Sequence, residues 1–192
     1  MQQERIYNKD ELPDEELAQE IQPGDPSEDL HTDPDAPASE APDILEGPPL
    51  PWRVAKSLAR LRSQVNHLAP ARSKASDGAI GDPAHQGRQS DHNPHIRDAG
   101  VGVVSAVDIT HDPNHGCDAS LIATSLLESR DPRLKYIIWN RRIVASYTVD
   151  GHAAWKWRAY SGKNPHNHHV HISVSPDKRH FDAERDWTVR VA

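Results

Sequence analysis

Cysteine is almost missing: Cys117 is the only one in 192 residues. One thiol cannot close an intramolecular disulfide, and it rules out zinc sites walled by several thiolates. Long apolar runs are missing too, since none approaches the ~20 residues that span a bilayer as a helix, so no membrane insertion is expected. The N-terminal Met1-Gln-Gln-Glu4 is acidic and opens no apolar stretch, so no secretory signal is visible. Work outside the cytoplasm would then require release or delivery by another system. A chain of this length is read as one domain with an appendage.

Basic residues are nearly absent from the first fifty positions, which hold only Arg5 and Lys9 against 15 Asp and Glu, a net charge of -13. The remainder, 51–192, holds 20 bases and 14 acids, a net of +6. Eight of the 16 prolines also fall in the first fifty residues, in runs such as Gln22-Pro-Gly-Asp-Pro26. Such a composition cannot bury enough apolar surface to offset the entropy of ordering. Residues 1–49 are therefore expected to form a disordered acidic, Pro-rich tail, with a short helix feasible at Asp10–Ile21. A plain solubilising leader explains it more simply than a shield for the basic domain at 50–192.

Within that domain, Val54, Leu58, Leu61, Val65 and Leu68 recur at three- and four-residue steps, which predicts an amphipathic helix over Trp52–Leu68. Pro70 ends it, and Ser73–Gly81 reads as loop. Val101–Thr110 is β-branched and predicts one strand. Cys117 or Asp118 can open a helix reaching Ser129, with Leu121, Ile122, Leu126 and Leu127 on its buried side. Tyr136–Trp139, Arg142–Val149, Trp155–Tyr160 and His169–Val174 read as further strands. The order predicts an α+β fold, a small antiparallel sheet with flanking helices. Asp177–Arg190 reads as a C-terminal strap.

Histidine, by contrast, is abundant: 13 residues, 11 of them between His85 and His180. The densest stretch is Asn164-Pro-His166-Asn-His168-His169-Val-His171-Ile-Ser-Val174. Strand alternation puts His169, His171 and Ser173 on one face, with Val170, Ile172 and Val174 on the other. An affinity tag would be terminal and would lack that apolar partner face. Upstream stand Ser90-Asp-His92-Asn-Pro94 and Ala106-Val-Asp108-Ile109. Asp108 lies inside an apolar strand signal, where a bare carboxylate would cost several kcal/mol. It needs an arginine or a metal. With His92 ahead and the His-x-His strand behind, metal ligation is the better reading. His92, Asp108 and His171 would supply two nitrogens and one oxygen to zinc, leaving a fourth position for water, as catalytic zinc sites do. Cys117 reads as packing. Trp139, Trp155, Trp157 and Tyr160 can line a groove or pack a core, and packing is the commoner use. His85, His95, His111 and His115 read as loop or supporting residues.

The Ser-x-His, Ala-x-Asp-Ile and His-x-His motifs, in that order, resemble zinc peptidases that share a fold with D-Ala-D-Ala carboxypeptidases, lysostaphin-type endopeptidases and the hedgehog signalling domain. Within that group the chain is most similar to phage and bacterial peptidoglycan peptidases of the D-Ala-D-Ala carboxypeptidase type. Tyr136–Arg142 is also similar to phage lysin domains. The likeness covers about 52–175 and leaves out the tail. It implies zinc on His92, Asp108 and His171, with His169 orienting the attacking water or steadying the oxyanion. His166 resembles an active-site histidine of penicillin-insensitive murein endopeptidases. Arg88 resembles the arginine that holds substrate carboxylate or carbonyl. The implied substrate is the stem peptide of peptidoglycan, cut by a monomer kept in a host cytoplasm until release or delivered to the wall by another system.

Two features depart from the family. About a dozen extra residues separate His92 from Asp108, which an exposed loop absorbs at small entropic cost. Many relatives carry Glu or Asp three positions before the last zinc histidine, and here that position is His168. The proton-transfer role therefore falls to His169 or His166 ahead of His168. Two other functions compete. A His-Asn-His metal nuclease is suggested by Asp91-His92-Asn93 and His166-Asn167-His168, but about 75 residues separate these clusters, so nucleic acid is not the expected partner. A non-catalytic zinc module of the same fold is the other.

Overall fold

The computed structural model describes residues 51–79 and 90–192. The acidic tail at 1–49, its helix at Asp10–Ile21, His85 and Arg88 lie outside the described residues.

Strand β1 (Trp52–Val54) opens the domain where a helical turn was expected. Its backbone runs parallel to a strand fifty residues on, with Trp52 opposite Gly102 and Val54 opposite Val104. Helix α1 (Lys56–Leu68) follows and buries Leu58, Leu61 and Val65 completely. Leu68, expected on the same stripe, is 50% exposed because the helix ends there and Ala69 takes the buried place.

Strands β2 (Ile96–Asp98) and β3 (Val101–Val104) form a hairpin around Ala99-Gly100. Strand β4 (Ala106–Thr110) comes directly after. The single strand expected over 101–110 is thus two, broken at Ser105. There the chain leaves a three-stranded sheet, β1-β3-β2, for the edge of a five-stranded one. Ser105 serves both sides of the break, donating its N–H to Asp91 O and accepting from Val174 N.

Helix α2 (Ala119–Ser129) starts where the sequence indicates, capped by Asp118 Oδ1, which accepts from Ser120 N at 2.7 Å. Ile122 and Leu126 are buried as expected, while Leu121 and Leu127 are half-buried. Strands β5 (Leu134–Trp139) and β6 (Arg142–Ala145) are antiparallel neighbours, and β6 stops four residues short of the expected Val149. Only Arg158–Ala159 of the stretch 155–160 becomes strand, as β7. Strand β8 (His169–Val174) occupies the expected span. The order in the main sheet is β4-β8-β5-β6-β7, every pair antiparallel. The class is α+β, with two small, mostly antiparallel sheets. Among the described residues no helix is long and apolar enough to cross a membrane.

The main sheet has two unlike faces. Val107, Ile109, Ile137, Val144, Val170, Ile172 and Val174 join the principal core with α1 and α2. Tyr136, Ile138, Ile143 and Ala145 point the other way and form a smaller cluster with Tyr160. The polar residues of β8 share that second face.

The C-terminal strap, with α3 (Lys178–Phe181), is fastened by a fully buried cation. Arg133 binds both oxygens of Asp131 (2.7 and 3.0 Å) and the carbonyls of Ala183, Arg185 and Asp186. Its guanidinium lies 3.7 Å from the centre of the Trp187 ring, and Trp187 Nε1 donates to Ser57 O at 2.7 Å. Removing one partner of a buried pair leaves an uncompensated charge. Arg133→Ala is therefore expected to lower the unfolding free energy by about 3–5 kcal/mol in urea titrations. A loss below about 1 kcal/mol, the size of an ordinary substitution, would show that the strap is held some other way.

Candidate metal centre

The buried carboxylate of Asp108 is brought to its partners by strand register. In the β4–β8 pair Asp108 stands directly opposite His171, and Thr110 opposite His169, so all four side chains project to one side. His171 Nδ1 lies 3.1 Å from Asp108 Oδ1. His92 reaches the same spot from the loop before β2, with Nε2 3.2 Å from Asp108 Oδ2 and 3.0 Å from His171 Nδ1.

The loop carrying His92 is fixed at several points. Lys135 donates to both oxygens of Asp91 (2.8 and 3.0 Å), tying the loop to β5. Ser105 N donates to Asp91 O, and His92 N donates to Ser90 Oγ at 3.3 Å. Pro94 packs against bare backbone at Gly102, where a Cβ would come within 2.7 Å of the proline Cβ.

The two histidines present defined nitrogens. Nδ1–H of His92 donates to Ala79 O at 3.0 Å, which leaves Nε2 facing the carboxylate. His171 Nε2 bonds to Ser173 Oγ at 3.0 Å, which leaves Nδ1 facing inward. Holding the outer nitrogen so that the inner one can ligate is how proteins orient metal-binding imidazoles. Tyr136 stacks on the His171 ring, centroids 5.3 Å apart at 9°.

Two more imidazoles complete the face. His169 Nε2 lies 3.8 Å from Asp108 Oδ2. The His166 ring centroid is 5.0 Å from that of His169 and 5.6 Å from that of His171. His166 adopts a left-handed backbone with φ of 47°, which costs a non-glycine residue roughly 1–2 kcal/mol. Its loop is held by the β5–β6 turn, where Asn140 N donates to His166 O (2.9 Å) and Arg141 N to Pro165 O (2.8 Å). Two groups among the described residues could hold a metal ion: His92, Asp108 and His171, and Asp108, His166 and His169. Asp108 belongs to both.

Among the described residues the ion partners of Asp108 are imidazoles, not the arginine offered as the alternative. Burial opposes ionising it, yet His92 and His169, with hydrogen bonds from His171 and His92, hold its carboxyl well below the usual range. For His92 burial works against the charged form, but the Asp108 carboxylate and the Ala79 carbonyl outweigh it and raise the pKa to about 9. His171 goes the other way, with burial lowering its pKa despite Asp108. Without metal these directions favour the charged forms of Asp108 and His92 and the neutral form of His171.

His168 is exposed and off the imidazole face, while its carbonyl accepts from His111 N at 2.8 Å. His111 Nδ1 accepts from Ala119 N at 3.1 Å, so it supports the start of α2. Trp139 is core, Trp155 and Trp157 pack against that core, and Tyr160 belongs to the cluster beside His166. The Cys117 thiol donates to Thr110 O, and burial pushes its pKa up to about 11, as suits a packing residue. Sequence reasoning missed the Asp91–Lys135 tie, Tyr136 and the Ala79 carbonyl. Asp91 and Tyr136 stand inside stretches already singled out, but nothing local in the sequence pairs Asp91 with Lys135 or Tyr136 with His171, and the third acts through backbone.

Comparison with protein-family models, curated proteins and solved structures finds no match to this chain.

These pKa directions fix a pH profile for the metal-free fold. The folded value of His92 is raised, so its contribution is complete below about 6.5 and is lost as pH rises through about 9. The folded value of His171 is lowered, so its contribution is complete above 6.5 and is lost as pH falls below it. Urea midpoints without metal are expected to peak near pH 6.5 and to fall on both sides. His92→Gln should flatten the alkaline limb between pH 7 and 9. An unchanged alkaline limb in that variant would contradict the assignment.

Proposed function

We propose that this chain is a zinc-dependent peptidase that hydrolyses a peptide bond in the stem peptide of bacterial peptidoglycan. The observation that carries the metal is the approach of His92 Nε2 to His171 Nδ1 (3.0 Å), with Asp108 Oδ1 3.1 Å from His171 Nδ1 and Oδ2 3.2 Å from His92 Nε2. Ligand atoms bonded to tetrahedral zinc at ~2.0–2.1 Å lie roughly 3.3 Å from one another, so little movement is needed to seat the ion. The donor set, two imidazoles and a carboxylate, suits zinc with one position left open. The substrate class, and a fold of the hedgehog and D-Ala-D-Ala peptidase type, come from the resemblance of the His92, Asp108 and His166–Ser173 motifs.

When bound, zinc supplies hydroxide near neutral pH and polarises the scissile carbonyl. The chain's own residues do the rest. With the metal in place, Nδ1–H of His92 and Nε2–H of His171 would donate to Ala79 O and Ser173 Oγ, which would keep both ligand nitrogens aimed inward. His169 would accept the proton that the attacking water gives up as hydroxide forms, and would return it to the leaving amine. His166, edge-on to His169, is the second proton-transfer group. Arg88, outside the described residues, would hold a substrate carboxylate. The protein works as a monomer, stored in a host cytoplasm until release or delivered to the wall by another system. One observation favours a second reading, a zinc module without turnover: the family's carboxylate position is filled by the exposed His168.

Metal content measured beside muropeptide release by mass spectrometry separates these roles. Asp108→Ala and His171→Ala should lose both zinc and activity. His169→Ala should keep zinc and lose ~10²–10⁴ in turnover, the range for a proton-transfer group. His166→Ala should lose as much or less, and His168→Ala least. No muropeptide release from a wild-type protein carrying one zinc would leave the non-catalytic module. Zinc-retaining inactivity in His168→Ala alone would move the base to residue 168.

A further inference from the structure

The stretch Ser73–Gly81 reads as loop from its composition, yet its described part, 73–79, is bonded together with Arg72 like part of the sheet. The Arg72 side chain is buried and donates to both oxygens of Asp77 (2.8 and 2.5 Å), to Asn66 Oδ1 (2.9 Å) and to Ser73 O (3.0 Å). Asp77 Oδ1 in turn accepts from Thr110 N and Thr110 Oγ1 (2.9 and 2.8 Å), and Ser76 N donates to Thr110 Oγ1 at 3.0 Å. Thr110 is the last residue of β4, two positions from Asp108 and opposite His169. The Arg72–Asp77 pair is therefore fastened to the strand that carries the carboxylate.

The next two residues touch the proposed ligands themselves. Gly78 forms a two-bond antiparallel bridge with Asp108, with Asp108 N donating to Gly78 O (2.8 Å) and Gly78 N to Asp108 O (3.3 Å). A Cβ on Gly78 would stand 3.3 Å from Asp108 Oδ2, so bare backbone lies against the carboxylate. Ala79 O takes the His92 Nδ1–H bond. Three consecutive residues thus grip β4, flank one ligand and orient another.

We propose that Asp77–Ala79, held by the buried Arg72, is a positioning element of the metal centre, with Asp77 as its anchoring residue. The inference rests on the zinc reading above. Asp77 touches no substrate and no metal. It sets where the Ala79 carbonyl stands, and through that carbonyl which nitrogen of His92 faces Asp108. A group bonded directly to a ligand, as the Ala79 carbonyl is to His92, typically contributes 10–100-fold in metal affinity, which bounds what Asp77 can exert through it.

The test is a zinc titration of the full chain against a competing chelator, with the visible spectrum of the cobalt-loaded protein as second readout. Asp77→Asn should weaken zinc binding measurably, by at most about 10–100-fold, and alter the cobalt spectrum. Thr110→Val, which removes one bond to Asp77, should move both in the same direction by less. Arg133→Lys, which loosens the distant C-terminal strap, controls for lost stability and should bind zinc as the wild type does. Wild-type affinity and spectrum in both Asp77→Asn and Thr110→Val would overturn the inference and leave the zinc reading standing. Failure of the wild type to take up zinc would overturn that reading and this one together. If Asp77→Asn does not fold, Thr110→Val against Arg133→Lys decides.

Discussion

The buried carboxylate of Asp108 is the constraint around which the rest is arranged. A negative charge in the interior must be met by positive charge or by hydrogen bonds, or it is protonated. Here no arginine meets it among the described residues. Three imidazoles do, from the His92 loop and from two positions of β8. That choice has a chemical consequence. An arginine would neutralise the charge permanently, whereas an imidazole can also give its lone pair to a metal. A structural need for charge compensation is thus met by groups able to hold a cation.

Strand β8 makes the arrangement compatible with a stable fold. Val170, Ile172 and Val174 are fully buried on the helix side, where they hold the sheet against α1 and α2. His169, His171 and Ser173 occupy the other face, and the antiparallel register with β4 fixes which residue meets Asp108. A slip of one residue would exchange the two faces completely. The same alternation that builds the core therefore specifies the site. The His92 loop is then brought in by the Asp91–Lys135 pair and by the close approach of Pro94 to Gly102.

The elements legible in the sequence are those whose pattern is local. Alternation in 169–174, the three- and four-residue steps from Val54 to Leu68 and the apolar pattern after Asp118 are properties of short windows, and they matched β8, α2 and, apart from its start, α1. The grouping of His92, Asp108 and His171 was legible because a carboxylate inside an apolar strand demands a partner and few residue types qualify. Long-range pairing was not legible. Trp52–Val54 forms a strand only because β3 offers an edge fifty residues later, and the break at Ser105 depends on Asp91 and Val174. Nor does composition reveal a backbone carbonyl such as that of Ala79, whose role depends on where the chain passes. His168, one residue before β8, is exposed.

The central claim is that Asp108 and its imidazoles hold a zinc ion. Anomalous diffraction from crystals of the zinc-loaded protein, recorded on both sides of the zinc absorption edge, tests this most directly. One peak is predicted, bounded by His92 Nε2, the Asp108 carboxylate and His171 Nδ1. A peak seated on other residues, or no peak from protein soaked in excess zinc at neutral pH, would contradict the account.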